Sequence, residues 1–196
     1  PQIMENAGRN LARLVVDLGA PDRVAVAAGS GGNGGGGMVA ARHLANMGVD
    51  VVVTTTRGLD GLSPAAAHQF DILGRMGVGR SKDLVDGDLT IDAIIGYSLR
   101  GAPTGRSASL IEQTNGSSCV VALDVPSGLD VTTGVSPGSA VRADVTMTLA
   151  LPKVGLRGAT TVGDRYLADI SVPPSVLSAH GPVPDFSASS LIRIAQ

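Results

Sequence analysis

Val24-Ala-Val-Ala-Ala28-Gly29-Ser-Gly-Gly-Asn33-Gly-Gly-Gly-Gly37-Met38-Val-Ala-Ala-Arg42-His43-Leu44 is the stretch that decides the fold. Its apolar start, Val24 to Ala28, reads as a short buried strand. Val39, Ala40, His43, Leu44 and Met47 fall near helical spacing, which predicts a helix of about fourteen residues from Gly35 through Gly48. Strand, glycine turn and helix form the first half of a β-α-β unit. Residues 29–37 between them hold seven glycines, one serine and Asn33, so the backbone is left as the working surface. Glycine supplies positive-φ turns and close approach to a ligand, and a turn that opens a helix aims its free N–H groups outward. The expected ligand is anionic, most simply a phosphate. The competing reading is a turn that only packs helix on sheet, a need that eight Gly or Ser in nine residues exceed.

The alternation continues on both sides. Met4, Leu11, Leu14, Val15 and Leu18 outline an opening helix that Gly19-Ala-Pro21 ends. Val51 to Thr56 is the next strand, and Ser63-Pro64 starts a helix through Met76, with Ser as N-cap and Pro in the first turn. Strands follow at Leu89–Ile95, Ser118–Val125, Val141–Ala150 and Tyr166–Val172, with a helix at Ser107–Thr114. From about residue 173 the Pro- and Ser-rich tail is expected to be irregular, before a short closing segment near Leu191. This order predicts an α/β fold, a doubly wound and mostly parallel sheet in a Rossmann-like three-layer sandwich, as a single domain over residues 1–196.

Composition narrows the function. A net charge of −2 gives no basic field for nucleic acid. The single cysteine, Cys119, excludes an intrachain disulfide framework and a multi-cysteine zinc site, and is expected to be a buried strand residue. No apolar run reaches membrane-span length and no signal peptide is visible, so a cytoplasmic protein with no membrane partner is the expectation. The chain starts at Pro1 rather than at a methionine, which leaves open what lies upstream.

Gly29, Gly31 and Gly34 satisfy the dinucleotide spacing G-x-G-x-x-G, but the strand about twenty residues on ends Thr54-Thr-Thr-Arg57 with no carboxylate for a ribose. Arg57 could meet a 2′-phosphate there, or be a solvated turn residue. A P-loop fails for want of Gly-Lys-Ser/Thr. Asp92 and Asp124 each stand toward the carboxyl end of an apolar strand, the edge where open α/β sheets bind ligands. A buried carboxylate needs a cation, a donor or a proton; capping a neighbouring loop is the plainer role. Lys153 and Arg100 could meet phosphate or be exposed cations. Ser127 lacks a Gly-x-Ser-x-Gly elbow, the three histidines have no metal-ligand spacing, and His43 reads as partly buried packing.

Met4-Glu5-Asn6-Ala7-Gly8, the glycine stretch with Met38 to Leu44, Asp92-Ala, Ala122-Leu-Asp124-Val-Pro-Ser127-Gly-Leu-Asp130 and Arg142-Ala-Asp144…Pro152-Lys153 together resemble the YjeF N-terminal domain family, in order over residues 3 to about 172. The resemblance implies an NAD(P)H-hydrate epimerase, which interconverts the S and R hydrates in nicotinamide nucleotide repair. It places the phosphate and substrate loop on Gly32, Asn33, Gly34, Gly35 and Gly36. Further substrate contacts fall on Gly96, Tyr97, Ser98, Leu99, Arg100, Gly101, Ala102 and Asp124. One potassium ion per subunit falls on Asn33, Asp92 and Ser127, and a homodimer is implied. Family members commonly read Gly-Asn-Asn-Gly-Gly-Asp-Gly where this chain has Gly31 to Gly37, so Gly32 replaces an Asn and Gly36 an Asp. Arg100 stands where eukaryotic relatives often carry Lys.

For the chemistry, Asp92 or Asp124 is expected to give and retrieve the proton as the C6 hydroxyl of the hydrate leaves as water and water returns on the other face. The chain lacks room for the kinase-like dehydratase domain fused to some relatives and is expected to act without it. A binding or scaffold module of the same fold is the alternative, and an NAD(P)-dependent dehydrogenase ranks last. The preference between NADH hydrate and NADPH hydrate stays open.

Overall fold

Buried parallel strands require cover on both faces, and the sequence supplies it with helices before the first strand and between the first and second, second and third, and fourth and fifth strands, and mostly with loops elsewhere. The computed structural model describes residues 2–194; Pro1 and residues 195–196 of the expected domain lie outside it. The elements are α1 (Gln2–Asp17), β1 (Arg23–Ala28), α2 (Gly32–Asn46), β2 (Asp50–Thr55), α3 (Pro64–Arg75), β3 (Gly79–Ser81), β4 (Leu89–Ala93), α4 (Gly105–Thr114), β5 (Val120–Leu123), β6 (Val145–Leu149), β7 (Asp164–Ala168), α5 (Pro174–Leu177) and β8 (Leu191–Ile194). They form one eight-stranded sheet of order β3-β2-β1-β4-β5-β6-β7-β8. All pairings are parallel except β7 with β8. β1 lies between β2 and β4, so the winding reverses beside it and opens a crevice at the carboxyl ends of these strands.

The two faces differ in chemistry. Val24, Val26, Val53, Ile91, Leu123 and Met147 pack with Leu11, Met38, Leu44 and Leu73 of α1, α2 and α3 in the main core. On the other face Ala27, Val120 and Ala122 meet Leu110 and Ile111 of α4 in a smaller cluster. Threonines alternate onto that second face, where a single helix and loops give cover, and their hydroxyls bond across to it. Thr90 Oγ1 lies 2.8 Å from Ser117 Oγ, and Thr146 donates to the Val162 carbonyl at 2.7 Å. Asp92 shares this parity, so it too is buried under the loops.

α1 docks on α2 through close approach and a polar clasp. A Cβ at Gly8 would come within 2.5 Å of the Val39 side chain, and one at Gly35 within 2.6 Å of Met4 Cε. Glu5 binds the Arg42 guanidinium at 2.5 Å and the His43 ring at 2.8 Å. Burial raises the Glu5 carboxyl, but the hydrogen bonds from Arg42 and His43 outweigh it and hold the group below its ordinary value. The clasp therefore stabilises the fold above the carboxyl's ordinary titration range and is lost as pH falls through its lowered one.

The structure corrects several sequence expectations. α2 begins at Gly32, not Gly35, so most of the expected loop is the helix's first turns. None of Gly29 and Gly31 to Gly37 has positive φ; at α2 the positive-φ glycine is Gly48, just past its carboxyl end. Cys119 precedes β5 and is half-buried. The tail carries the one-turn helix α5 before β8, and β3, too short to show periodicity, joins the sheet edge. The strands expected over 89–95, 118–125, 141–150 and 166–172 are each shorter, because their ends turn toward the crevice or into loops. As expected, Ser63 caps α3, accepting from the Ala66 N–H at 3.4 Å.

Candidate functional site

A cleft of about 400 Å³ occupies the crevice at the switch point. Its walls come from Ser30 to Asn33 after β1, Thr56 and Arg57 after β2, Ile94 to Gly96 and Ser98 to Thr104 after β4, and Ser107 in α4. Two helix N-termini converge on it. Gly31 is the N-cap residue of α2 and Thr104 that of α4; neither gives a side-chain cap, and neither helix has an acidic residue in its first turn. Their first N–H groups thus have no intrahelical acceptor and carry the positive end of the helix dipole. Arg57 and Arg100 line the same cleft. Uncapped helix starts and guanidinium groups are the kind of donors that suit an anionic group such as a phosphate.

The glycine run divides into two parts. At Gly31 and Gly32 a Cβ would meet nothing within 4 Å, so these two face the cleft. Gly34 to Gly37 are buried, and their Cβ positions fall on Gly29, Met4, Leu123 and Ala93. The expected loop contacts at Gly34, Gly35 and Gly36 therefore lie in packed helix. The Gly35 N–H is already bonded to the Gly31 carbonyl at 3.0 Å. This division bears on the departures from the family pattern. Gly32→Asn places a side chain in open space and is expected to leave Tm unchanged. Gly36→Asp puts Cβ 2.8 Å from Leu123 Cδ2 and is expected to cost about 1–3 kcal/mol, read by thermal unfolding.

Asp92, Ser127 and Asn33 gather around residues 94–96. Asp92 is fully buried; Oδ1 accepts from the Ser127 hydroxyl at 2.5 Å and the Ile94 N–H at 3.2 Å, and Oδ2 from the Ser127 N–H at 2.7 Å. Burial pushes its carboxyl up to about 6 against the lowering effect of the Ser127 and Ile94 donors. No basic side chain pairs with it among the described residues. Ser127 Oγ also accepts from the Ile95 N–H at 2.7 Å and lies 3.1 Å from the Ile95 carbonyl oxygen. One hydroxyl proton thus serves two neighbouring oxygens. Asn33 packs against Gly96, where a Cβ would sit 2.9 Å from its amide, and its buried Nδ2 has no partner.

These are oxygen donors of the kind hard cations use, and one uncompensated carboxylate suits a single positive charge. Among the described residues no cluster of three His, Cys, Asp or Glu side chains is assembled for a metal. The residues therefore fit a monovalent cation.

Asp124 differs from Asp92. It follows β5 with φ of 71°, a left-handed conformation, and does not itself line the cleft. Oδ2 accepts from the Tyr97 N–H at 3.2 Å, and Oδ1 pairs with Lys153 Nζ at 2.5 Å. Lys153 is thus committed to Asp124 and to the Leu149 carbonyl, not free for the phosphate that the sequence suggests. Gly96, Ser98, Leu99, Arg100, Gly101 and Ala102 line the cleft as expected of a contact segment, whereas Tyr97, whose side chain is exposed, is not among the lining residues. Sequence reasoning did not include Ser30, Thr56, Pro103, Thr104 and Ser107. The Pro103-Thr104 pair before α4 was the available signal, since Thr marks a helix start.

A family model described as YjeF-related protein N-terminus matches residues 1–155. An NAD(P)H-hydrate epimerase of Dehalogenimonas lykanthroporepellens is 48% identical over 190 residues, covering 92% of this chain and 76% of that protein. A bifunctional NAD(P)H-hydrate repair enzyme Nnr of Hyperthermus butylicus is 42% identical over 92% of this chain, which spans only 36% of its length. The crystal structure of yeast ynu0 superposes with a TM-score of 0.82 over 98% of this chain and 89% of that one, at 24% identity, a likeness of fold. With the switch-point cleft and its glycine-started helix in place, the chain belongs to the YjeF-related N-terminal family.

Proposed function

We propose that the protein is an NAD(P)H-hydrate epimerase, interconverting the S and R hydrates of the reduced nicotinamide nucleotide. The observation that carries the reading is likeness to an enzyme of that name over 92% of the chain. The cleft supports it by offering two uncapped helix starts and two arginines to the pyrophosphate. The reaction needs no redox partner. The C6–O bond breaks as the hydroxyl takes a proton, the ring-nitrogen lone pair forms a planar iminium, and water adds to the opposite face. Asp124 serves the reacting end; fully buried Asp92 holds the floor of the site instead. Incubating one purified epimer with the protein and separating the products tests the reading.

Potassium belongs to the reading as a structural cofactor held by Asn33, Asp92 and Ser127, where it supplies the charge that balances Asp92. These residues fix segment 94–96 and with it one wall of the cleft. At ten times its dissociation constant a bound ion contributes about 1.4 kcal/mol, a rise in Tm of roughly 3–6 °C for a domain of this size. Potassium chloride is therefore expected to raise Tm above that in choline chloride of equal ionic strength, and Ser127→Ala to blunt the rise. Equal Tm in both salts contradicts the cation assignment.

The reading also takes the enzyme as a cytoplasmic homodimer, tested by light scattering and fractionation. No helix of the described residues is long and apolar enough to cross a membrane. The alternative, a binding or scaffold module of the same fold, draws on Gly32 and Gly36, which stand where relatives carry Asn and Asp; Gly32 lines the cleft and Gly36 is packed against Leu123.

A further inference from the structure

We propose that Lys153 is the proton-transferring residue of this site, acting while paired to Asp124. The inference rests on the epimerase reading above and assigns its acid and base. Lys153 Nζ lies 2.5 Å from Asp124 Oδ1 and donates to the Leu149 carbonyl at 2.7 Å. An ammonium has three N–H groups, so one is left for a ligand. The other oxygen of Asp124 accepts from the Tyr97 N–H, and Gly96 and Ser98 on either side of Tyr97 line the cleft. The pair therefore stands directly behind the cleft wall.

Access and surroundings agree. The side chains of Lys153 and Asp124 are 16% and 9% exposed, whereas Asp92 is fully buried. Tyr97, whose backbone binds Asp124, is 70% exposed, and Val154, next to Lys153, is 71% exposed. In the proposed pose a hydrate bound in the cleft turns the C6 edge of its dihydropyridine ring toward Nζ. The phosphates of the same ligand extend to the starts of α2 and α4.

The step balances. The Lys153 ammonium gives a proton to the C6 hydroxyl; the C–O bond breaks, water departs and the ring nitrogen's lone pair makes the iminium. Water attacks C6 from the opposite face and gives its proton to solvent water, from which the neutral Lys153 amine is reprotonated. One water is released, one is consumed, and no oxidant or reductant takes part. Asp124 orients the ammonium and stabilises its charge throughout.

Lys153→Arg and Lys153→Ala, measured beside wild type on each purified hydrate epimer, test the assignment. Arginine keeps the charge and the partner but does not release its proton, so K153R is expected to keep its Tm and NADPH binding while kcat falls at least about 100-fold. K153A is expected to fall as far, with KM within about threefold of wild type, and to recover in proportion to added methylammonium. Wild-type kcat in K153R, a loss confined to KM, or a loss in folded K153A that methylammonium leaves unchanged would each overturn the assignment. An inert wild type overturns the epimerase reading and this inference together; active wild type beside equally active K153R overturns Lys153 alone.

Discussion

Gly34→Ala is expected to leave the protein unfolded or to lower its Tm by roughly 6–12 °C or more. A Cβ at position 34 would sit 1.8 Å from the Gly29 carbonyl oxygen and 2.6 Å from its carbon. Both partners are backbone, and Gly29 is itself held against Ile94, 1.9 Å from where its own Cβ would be. No side chain can turn aside, so α2 must move off the end of β1. Overpacking of this kind costs about 3 kcal/mol or more, and each kcal/mol shifts Tm by about 2–4 °C in a domain of this size. Gly31→Ala and Gly32→Ala are the controls, because their Cβ positions are open. Thermal unfolding of the three variants reads the result. A G34A protein with wild-type Tm would mean that the first turn of α2 does not lie against Gly29.

Asp124→Asn is expected to lower kcat for both hydrates by about 10²–10⁴-fold with binding of NADPH largely kept. Asparagine preserves the shape and can still accept from the Tyr97 N–H, so the cleft wall stays in place. What is lost is the negative charge that orients Lys153 at 2.5 Å. A preorganised charge beside the reacting atoms is worth most in a sheltered site, and Asp124 is nearly buried. Stopped assays on each epimer, with Tm as the control for folding, decide the point. Wild-type kcat in D124N would remove the carboxylate from the chemistry.

The sheet was legible because its strands are apolar on both faces and its helices keep a clear period; Val24 to Ala28 and Met38 to Leu44 lie where the pattern puts them. The position of Asp124 just past the end of β5 was legible for a related reason, since an apolar run that stops at an acid marks the carboxyl end of a strand. The glycine run was read only in part. Sequence shows that residues 34–37 carry no side chains, but not that Gly29, Met4, Leu123 and Ala93 close in on them from four other elements and turns. Tertiary contact, not backbone freedom, accounts for those glycines.

Asp92 and Lys153 show the same limit. Both lie at strand ends and look equally available in sequence, yet strand parity and the loop carrying Ser127 bury one, and Asp124 captures the other. The helix α4 was expected to start at Ser107, and its true start at Gly105 brings Thr104 to the cleft. An error of two residues there hid half of the anion site.

The central claim is that this cleft epimerises hydrated NAD(P)H. The direct measurement is the time course of a single purified epimer of NADPH hydrate, and in parallel of NADH hydrate, followed by separation of the S and R forms with potassium present. The account predicts that the folded protein drives either pure epimer to the same S and R mixture, far faster than buffer alone, with no change in the reduced state of the nucleotide. Time courses indistinguishable from buffer for both hydrates, with the protein shown to be folded, would contradict it.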